Sequence, residues 1–205
     1  MQVAVLTFEG FNELDSFIAA ALLNRLRNKG WAAHITAPAD RVTSMNGVTV
    51  ERQRPLEFLA EADAVVIGSG IATREIAADA DMLAGLRIDP QRQLVAAQCS
   101  GTLIAAKLGL VAGVPACTDL TTRPWVVEAG VDVVDAPFFA AGNVATAGGC
   151  LASIYLATWL MLRGAGQADA EAALHYVAPV AEKQAWIDRA FGIVMPFLQP
   201  LHAAA

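Results

Sequence analysis

The chain has 205 residues, 56% of them hydrophobic, with a formal charge of −6. That is enough apolar material for one well-filled core, and no stretch marks a linker, so a single domain over residues 1–205 is expected. An acidic balance without any Lys/Arg cluster argues against a nucleic-acid surface. Charge or glycine breaks every long apolar run before membrane-spanning length, and the start MQVAVLTFEG lacks the basic segment of a secretory leader.

Gln2–Phe8 alternates and is rich in Val and Leu, which predicts a strand. The loop EGFNELD follows, and then Phe17, Ile18, Ala21, Leu22 and Leu26 repeat at helical spacing. Gly30 is the C-terminal stop of that helix, and Trp31–Ala37 reads as a second strand. In VTSMNGVTVERQ, Asn46-Gly47 between β-branched runs is a hairpin signal. Ala64–Ile67 is a short buried strand that runs into GSG, and ATREIAADADMLAGLR is helical.

Residues 94–110, LVAAQCSGTLIAAKLGL, deliver one cysteine into a small-residue turn. Leu94 to Ala97 read as a buried strand, while Leu103, Ile104, Lys107 and Leu108 repeat as a helix. Cys99 therefore sits on a strand-to-helix elbow. Such a turn lifts the side chain above the sheet edge, towards the first unpaired amides of the helix. Those amides would favour a thiolate and could hold negative charge developing on a substrate. The alternative is a small buried hydrophobe.

After Pro115, VDVVDAPFFAAGNVATAGG predicts short strands with turns, and Cys150–Leu162 is apolar on almost every face, as in a buried helix. Helices around Glu171 and over Ala185–Val194 complete the chain, and the terminal HAAA is expected to fray. Strands alternating with helices predict an α/β fold, a mainly parallel sheet with helices on both faces in a flavodoxin-like arrangement. Ligands of such sheets bind beyond the carboxyl ends of the strands. The loops carrying Glu13 and Asp15, Gly68 to Gly70, and Cys99 all gather there.

Cys99, Cys117 and Cys150 are an odd count without metal-ligand spacing, so free thiols in a reducing cytosol are expected, with no metal. Gly68–Gly70 is too short for a phosphate loop and has no lysine, and no organic cofactor is indicated. Cys117 and Cys150 read as packing residues. Trp125, Trp159 and Trp186 read as core or subunit contacts, and Glu13 as a solvated loop charge.

From Cys99 onward, CSGTLIAAKLGLVAGVPACTDL resembles the ThiJ/PfpI superfamily, which has a class I glutamine-amidotransferase-like fold, and within it the isocyanide hydratase branch. GNVATAGGCLASIYLA resembles that family's Gly-Asn-x-x-Thr-Ala-Gly-Gly segment, FNELD its acidic segment and VIGSG its Val-Pro-Gly-Gly loop. The resemblance implies Cys99 as nucleophile, Asp15 as the acid facing its sulfur, and the N–H groups of Gly70 and Ser100 as the anion site. It also implies a homodimer. The helix-turn-helix of related regulators is not expected in this chain. Asp119 stands where the family's usual histidine would be, and DSFIA replaces Asp-Leu-x-Gly-Pro after the acid.

A cysteine protease or amidase needs a base, usually histidine. His34 falls in the second strand, His202 in the tail, and His175 follows a helix from which it could approach the pocket. A Cys–His dyad within one chain is therefore not expected. A protonated Asp15 could instead donate to a Cys99 thiolate and act as general acid. That chemistry suits a hydratase of isocyanides or α-oxoaldehydes acting on a small molecule. The competing reading is a non-catalytic sensor with an oxidation-prone thiol. Asp119 either points at the sulfur or caps the helix near Thr121, and Phe17, Ile18 and Leu120 imply an apolar pocket.

Overall fold

Residues 1–198 are described here from a computed structural model; His202 and the terminal HAAA lie outside them. Their strands are β1 (Gln2–Leu6), β2 (Ala32–Thr36), β3 (Arg41–Thr43), β4 (Thr49–Glu51), β5 (Ala64–Ile67), β6 (Leu94–Gln98), β7 (Phe138–Ala141) and β8 (Val144–Ala147). The helices are α1 (Glu13–Leu23), α2 (Thr73–Ile76), α3 (Ala80–Gly85), α4 (Gly101–Lys107), α5 (Arg123–Glu128), α6 (Ser153–Gly164), α7 (Gln167–Val177) and α8 (Lys183–Val194).

The main sheet has six strands in the order β2-β1-β5-β6-β8-β7. All its pairings are parallel except β7 with β8. With its antiparallel edge strand set aside, this is the flavodoxin-like order, and both faces are covered. One core layer joins α1, α6, α7 and α8 to the sheet, and the other joins the helices between β5 and β7. β3 and β4 form the expected hairpin around Asn46-Gly47, with Gly47 at φ +88°.

The burial of α6 follows from its composition. Leu156, Trp159, Leu160 and Met161 have no exposed surface, each such side chain contributing about 1.5–3 kcal/mol. The stripe on α1 differs from the expected one. Asp15, Ser16, Ala19, Leu22 and Leu23 are buried, whereas Ala21 is exposed. The helix begins inside the predicted loop, because the Asn12 side chain accepts from the Leu14 N–H at 3.1 Å and caps it. Which of its faces is buried is set by how it docks on the sheet and α6. The helix expected over residues 72–87 is broken between α2 and α3, where the Asp79 carboxylate accepts from the Met82 N–H at 2.9 Å and starts a second helix.

Candidate active site

Asp15 follows β1, Ser69 follows β5, Cys99 follows β6 and Cys150 follows β8, so all four reach the same edge of the parallel strands. There they meet at a cavity of about 400 Å³ whose wall includes Ser69, Cys99 and Cys150. The elbow lies where the sequence predicts it, between β6 and α4, and its backbone is strained. Cys99 has φ +46°, a conformation that costs a residue with a Cβ about 1–3 kcal/mol. Its backbone is held from both sides, donating to the Ala147 carbonyl at 2.8 Å and accepting from the Thr118 hydroxyl at 2.8 Å. Two residues on, a Cβ on Gly101 would sit 2.5 Å from the Ile67 carbonyl oxygen. Only glycine lets α4 begin this close to β5.

Asp15 lies in the first turn of α1 rather than in a loop, 1% exposed. Its Oδ2 accepts from the Ser69 hydroxyl at 2.5 Å and its Oδ1 from Ser16 at 3.3 Å. Burial raises its pKa to about 7 against the opposing effect of those hydroxyls. The Asp15 carboxylate and the Cys99 and Cys150 sulfurs lie within 4.8 Å of one another, forming the only such donor set among the described residues.

The Cys99 thiol departs from the expectation of a thiolate. Burial first, and then the Asp15 charge, push its pKa well up, while the Gln98 amide donating to Sγ at 3.2 Å pulls the other way. The residue is 4% exposed, and the loss of water outweighs what the start of a short helix offers. The resting side chain is a thiol beside a carboxyl poised near neutrality.

Gly70 and Ser100 are brought together, in a form the sequence does not reveal. The Gly70 N–H donates to Ser100 Oγ at 3.1 Å, and Thr73 Oγ1 lies 2.8 Å from the same oxygen. A hydroxyl therefore stands in front of the Gly70 amide. Asp119 closes the turn that leads into α5, its Oδ1 accepting from the Thr121 and Thr122 N–H groups at 3.0 and 2.9 Å, while the helix itself starts at Arg123 with Thr122 as its N-cap. It still borders the cavity and adds slightly to the upward push on Cys99.

Neither described histidine reaches the cavity. His34 contacts Gln2 at 3.2 Å and stacks edge-on with Phe58, and His175 is exposed on α7. Cys117 is a packing residue, fully buried, with its thiol pushed up to about 12 by burial. Cys150 is not one: it is half-buried beside Cys99 and accepts from Asn12 Nδ2 at 3.1 Å. Glu13 is half-buried in the first turn of α1, where the helix-start backbone lowers its pKa. Trp159 is core, and Trp186 borders a separate apolar pocket together with Ile18. The apolar wall of the cavity is Met45, Ile71 and Trp125, with the Arg74 guanidinium 5.0 Å from the Trp125 ring centroid. Leu120 is 82% exposed, and Phe17 packs against the core. Met45 and Ile71 come from the hairpin and from the loop after GSG, which carry no chemical pattern in the sequence.

Fold and site together define an α/β protein built around a cysteine elbow, with an acid from the first helix turned towards it. The sequence profile of the DJ-1/PfpI family matches residues 1–162, and the chain belongs to that family. A ThiJ/PfpI family protein from Pseudomonas syringae aligns with TM-score 0.77 at 22% identity, over 95% of this chain and 87% of its own. Schizosaccharomyces pombe DJ-1 aligns with TM-score 0.73 at 15% identity, over 87% of this chain and 100% of its own. Drosophila melanogaster DJ-1beta aligns with TM-score 0.72 at 21% identity, over 86% of this chain and 96% of its own. No curated protein matches the chain. Among the described residues no helix is long and apolar enough to cross a membrane.

Proposed function

We propose that the chain is a cysteine-dependent hydratase of a small electrophile, similar to an isocyanide hydratase, with Cys99 as nucleophile and Asp15 as proton carrier. The observation that carries this reading is the Asp15 carboxyl, buried beside the Cys99 sulfur and raised to about 7. A proton carrier is most effective when its pKa lies near the working pH. The ionised form can take the thiol proton as the sulfur attacks, and the acid so formed can pass it to the adduct.

With an isocyanide, the sulfur bonds to the terminal carbon and that carbon receives the proton, giving a thioimidate. Water then adds to the same carbon, the carbon–sulfur bond breaks, the proton returns to sulfur, and an N-substituted formamide leaves. No amine is expelled, so the sequence of steps needs no histidine. Ser100 borders the cavity and would hold charge on an α-oxoaldehyde oxygen in the glyoxalase-type variant of this chemistry. Met45, Ile71 and Trp125 favour a small apolar substituent on the substrate.

The test is formamide production from an alkyl and an aryl isocyanide, followed by proton NMR, in the native protein, Cys99→Ala and Asp15→Asn. Turnover is expected in the native protein alone. Absence of turnover with isocyanides and α-oxoaldehydes alike, or equal rates in Cys99→Ala, overturns the reading. The second reading, a thiol sensor without turnover, is favoured by one observation: the second sulfur beside Cys99.

A further inference from the structure

The hydratase chemistry leaves Cys150 without a task, although its sulfur shares the buried cluster with Cys99 and Asp15. We propose that Cys99 and Cys150 are a redox dithiol that reduces hydroperoxides and closes to an intramolecular disulfide, with Cys150 as the resolving thiol. This activity adds to the hydratase reading without depending on it.

The geometry permits closure. The two sulfurs lie within 4.8 Å, and a disulfide brings them to about 2 Å. A single staggered step about χ1 carries a cysteine sulfur about 3 Å, which matches the distance to be closed. Cys150 is the side chain that would turn, giving up the hydrogen bond it accepts from Asn12 Nδ2 at 3.1 Å. It is half-buried and opens a short 3-10 turn directly after Gly149, which is exposed with φ +90°. Cys99, by contrast, is fixed by hydrogen bonds on both sides of its peptide. The Gln98 side-chain amide donates both to Cys99 Sγ at 3.2 Å and to the Gly149 carbonyl at 2.9 Å, holding the turn that carries Cys150 against the elbow.

The site also supplies the proton path. The Cys99 sulfur attacks the terminal oxygen of a hydroperoxide as Asp15 takes its proton. The O–O bond breaks, the departing alkoxide receives that proton as an alcohol, and Cys99 is left as a sulfenic acid. The Cys150 sulfur then bonds to the sulfenic sulfur, the S–O bond breaks, and water leaves with the Cys150 proton. The dithiol has lost two electrons and one hydroperoxide has become alcohol and water. A dithiol reductant restores both thiols. The closed form has no free Cys99 sulfur, so hydration at this site stops while the disulfide stands.

The experiment treats reduced protein with one and then with several equivalents of hydrogen peroxide or tert-butyl hydroperoxide, unfolds it in denaturant while blocking remaining thiols by alkylation, and weighs the intact chain and its peptides. The native chain is expected to lose about 2 Da, with one alkylated thiol instead of three, and to recover with dithiothreitol. Because Cys117 and Cys150 share a tryptic peptide, Cys117→Ala is run alongside and is expected to retain the cross-link. Cys150→Ser and Cys150→Ala are expected to gain about 16 and then about 32 Da at Cys99. A native chain that gains about 32 Da at Cys99 while Cys150 remains alkylatable overturns the proposal. So does a native chain that peroxide leaves unchanged. Neither mass result depends on isocyanide turnover, so the two readings fail separately.

Discussion

The β6–α4 elbow and the segment after Pro115 each place a cysteine out of water, and burial raises both thiols. They differ in everything else. Cys117 has an ordinary backbone, its amide donates to the Thr146 hydroxyl at 2.8 Å, and no carboxylate faces it. Cys99 has a left-handed backbone, a cavity in front of it, and an acid and a second thiol beside it. Burial alone therefore describes a packing residue. A reactive site is marked by strain held in place by other contacts, together with ionisable groups gathered where a ligand can enter.

The contrast breaks most sharply under alkylation. In the folded protein iodoacetamide should modify Cys99 through the cavity and leave Cys117 untouched until the chain unfolds, as site-resolved mass spectrometry would report. The Cys99 rate should still climb above pH 8 without a plateau, and Asp15→Asn should speed it several-fold at that pH, about what loss of one neighbouring charge gives. A plateau below pH 7 would mean a resting thiolate and reverse the electrostatic account of the elbow.

A smaller effect concerns stability. Asp15 has a folded pKa of about 7 against a reference of 3.8. The unfolded chain ionises first, so its carboxyl leaves stability intact below about pH 4, lowers it progressively as pH rises, and lowers it no further above about pH 7. Asp15→Asn keeps the shape without the charge. By urea denaturation it should match the native protein near pH 4 and exceed it at pH 8, by up to about 4 kcal/mol. A difference that does not change with pH would mean that Asp15 is not held protonated by burial.

The smallest expected effect belongs to Asp119. Asp119→Ala removes the acceptor for the Thr121 and Thr122 amides and should cost about 1 kcal/mol, with formamide production within about threefold of native. A loss of activity as large as that expected for Asp15→Asn would place Asp119 in the chemistry instead of in the turn before α5.

Much of the scaffold was legible because its signals are local. The apolar run ending at Cys99 and the hairpin at Asn46-Gly47 each depend on a few adjacent residues. The buried face of α1 departs from the expected one because spacing gives a helix its period while docking on the sheet and α6 decides which side is covered. The single helix expected over residues 72–87 is divided for a different reason, a cap at Asp79 overriding the apolar spacing. Only the family resemblance singles out Asp15, since nothing in FNELD by itself separates it from Glu13. Cys150 was misjudged because its neighbour is distant in sequence. β8 pairs in parallel with β6, and that pairing brings the residue after Gly149 level with the elbow.

The sequence by itself determined where the strands, the elbow and its cysteine would lie, because these follow from periodicity and small-residue turns read a few positions at a time. Only the tertiary structure decided which groups surround the thiol and which of them hold protons. Ionisation in a protein is governed by the water a group loses and the charges it meets, and both come from chain segments far apart in sequence.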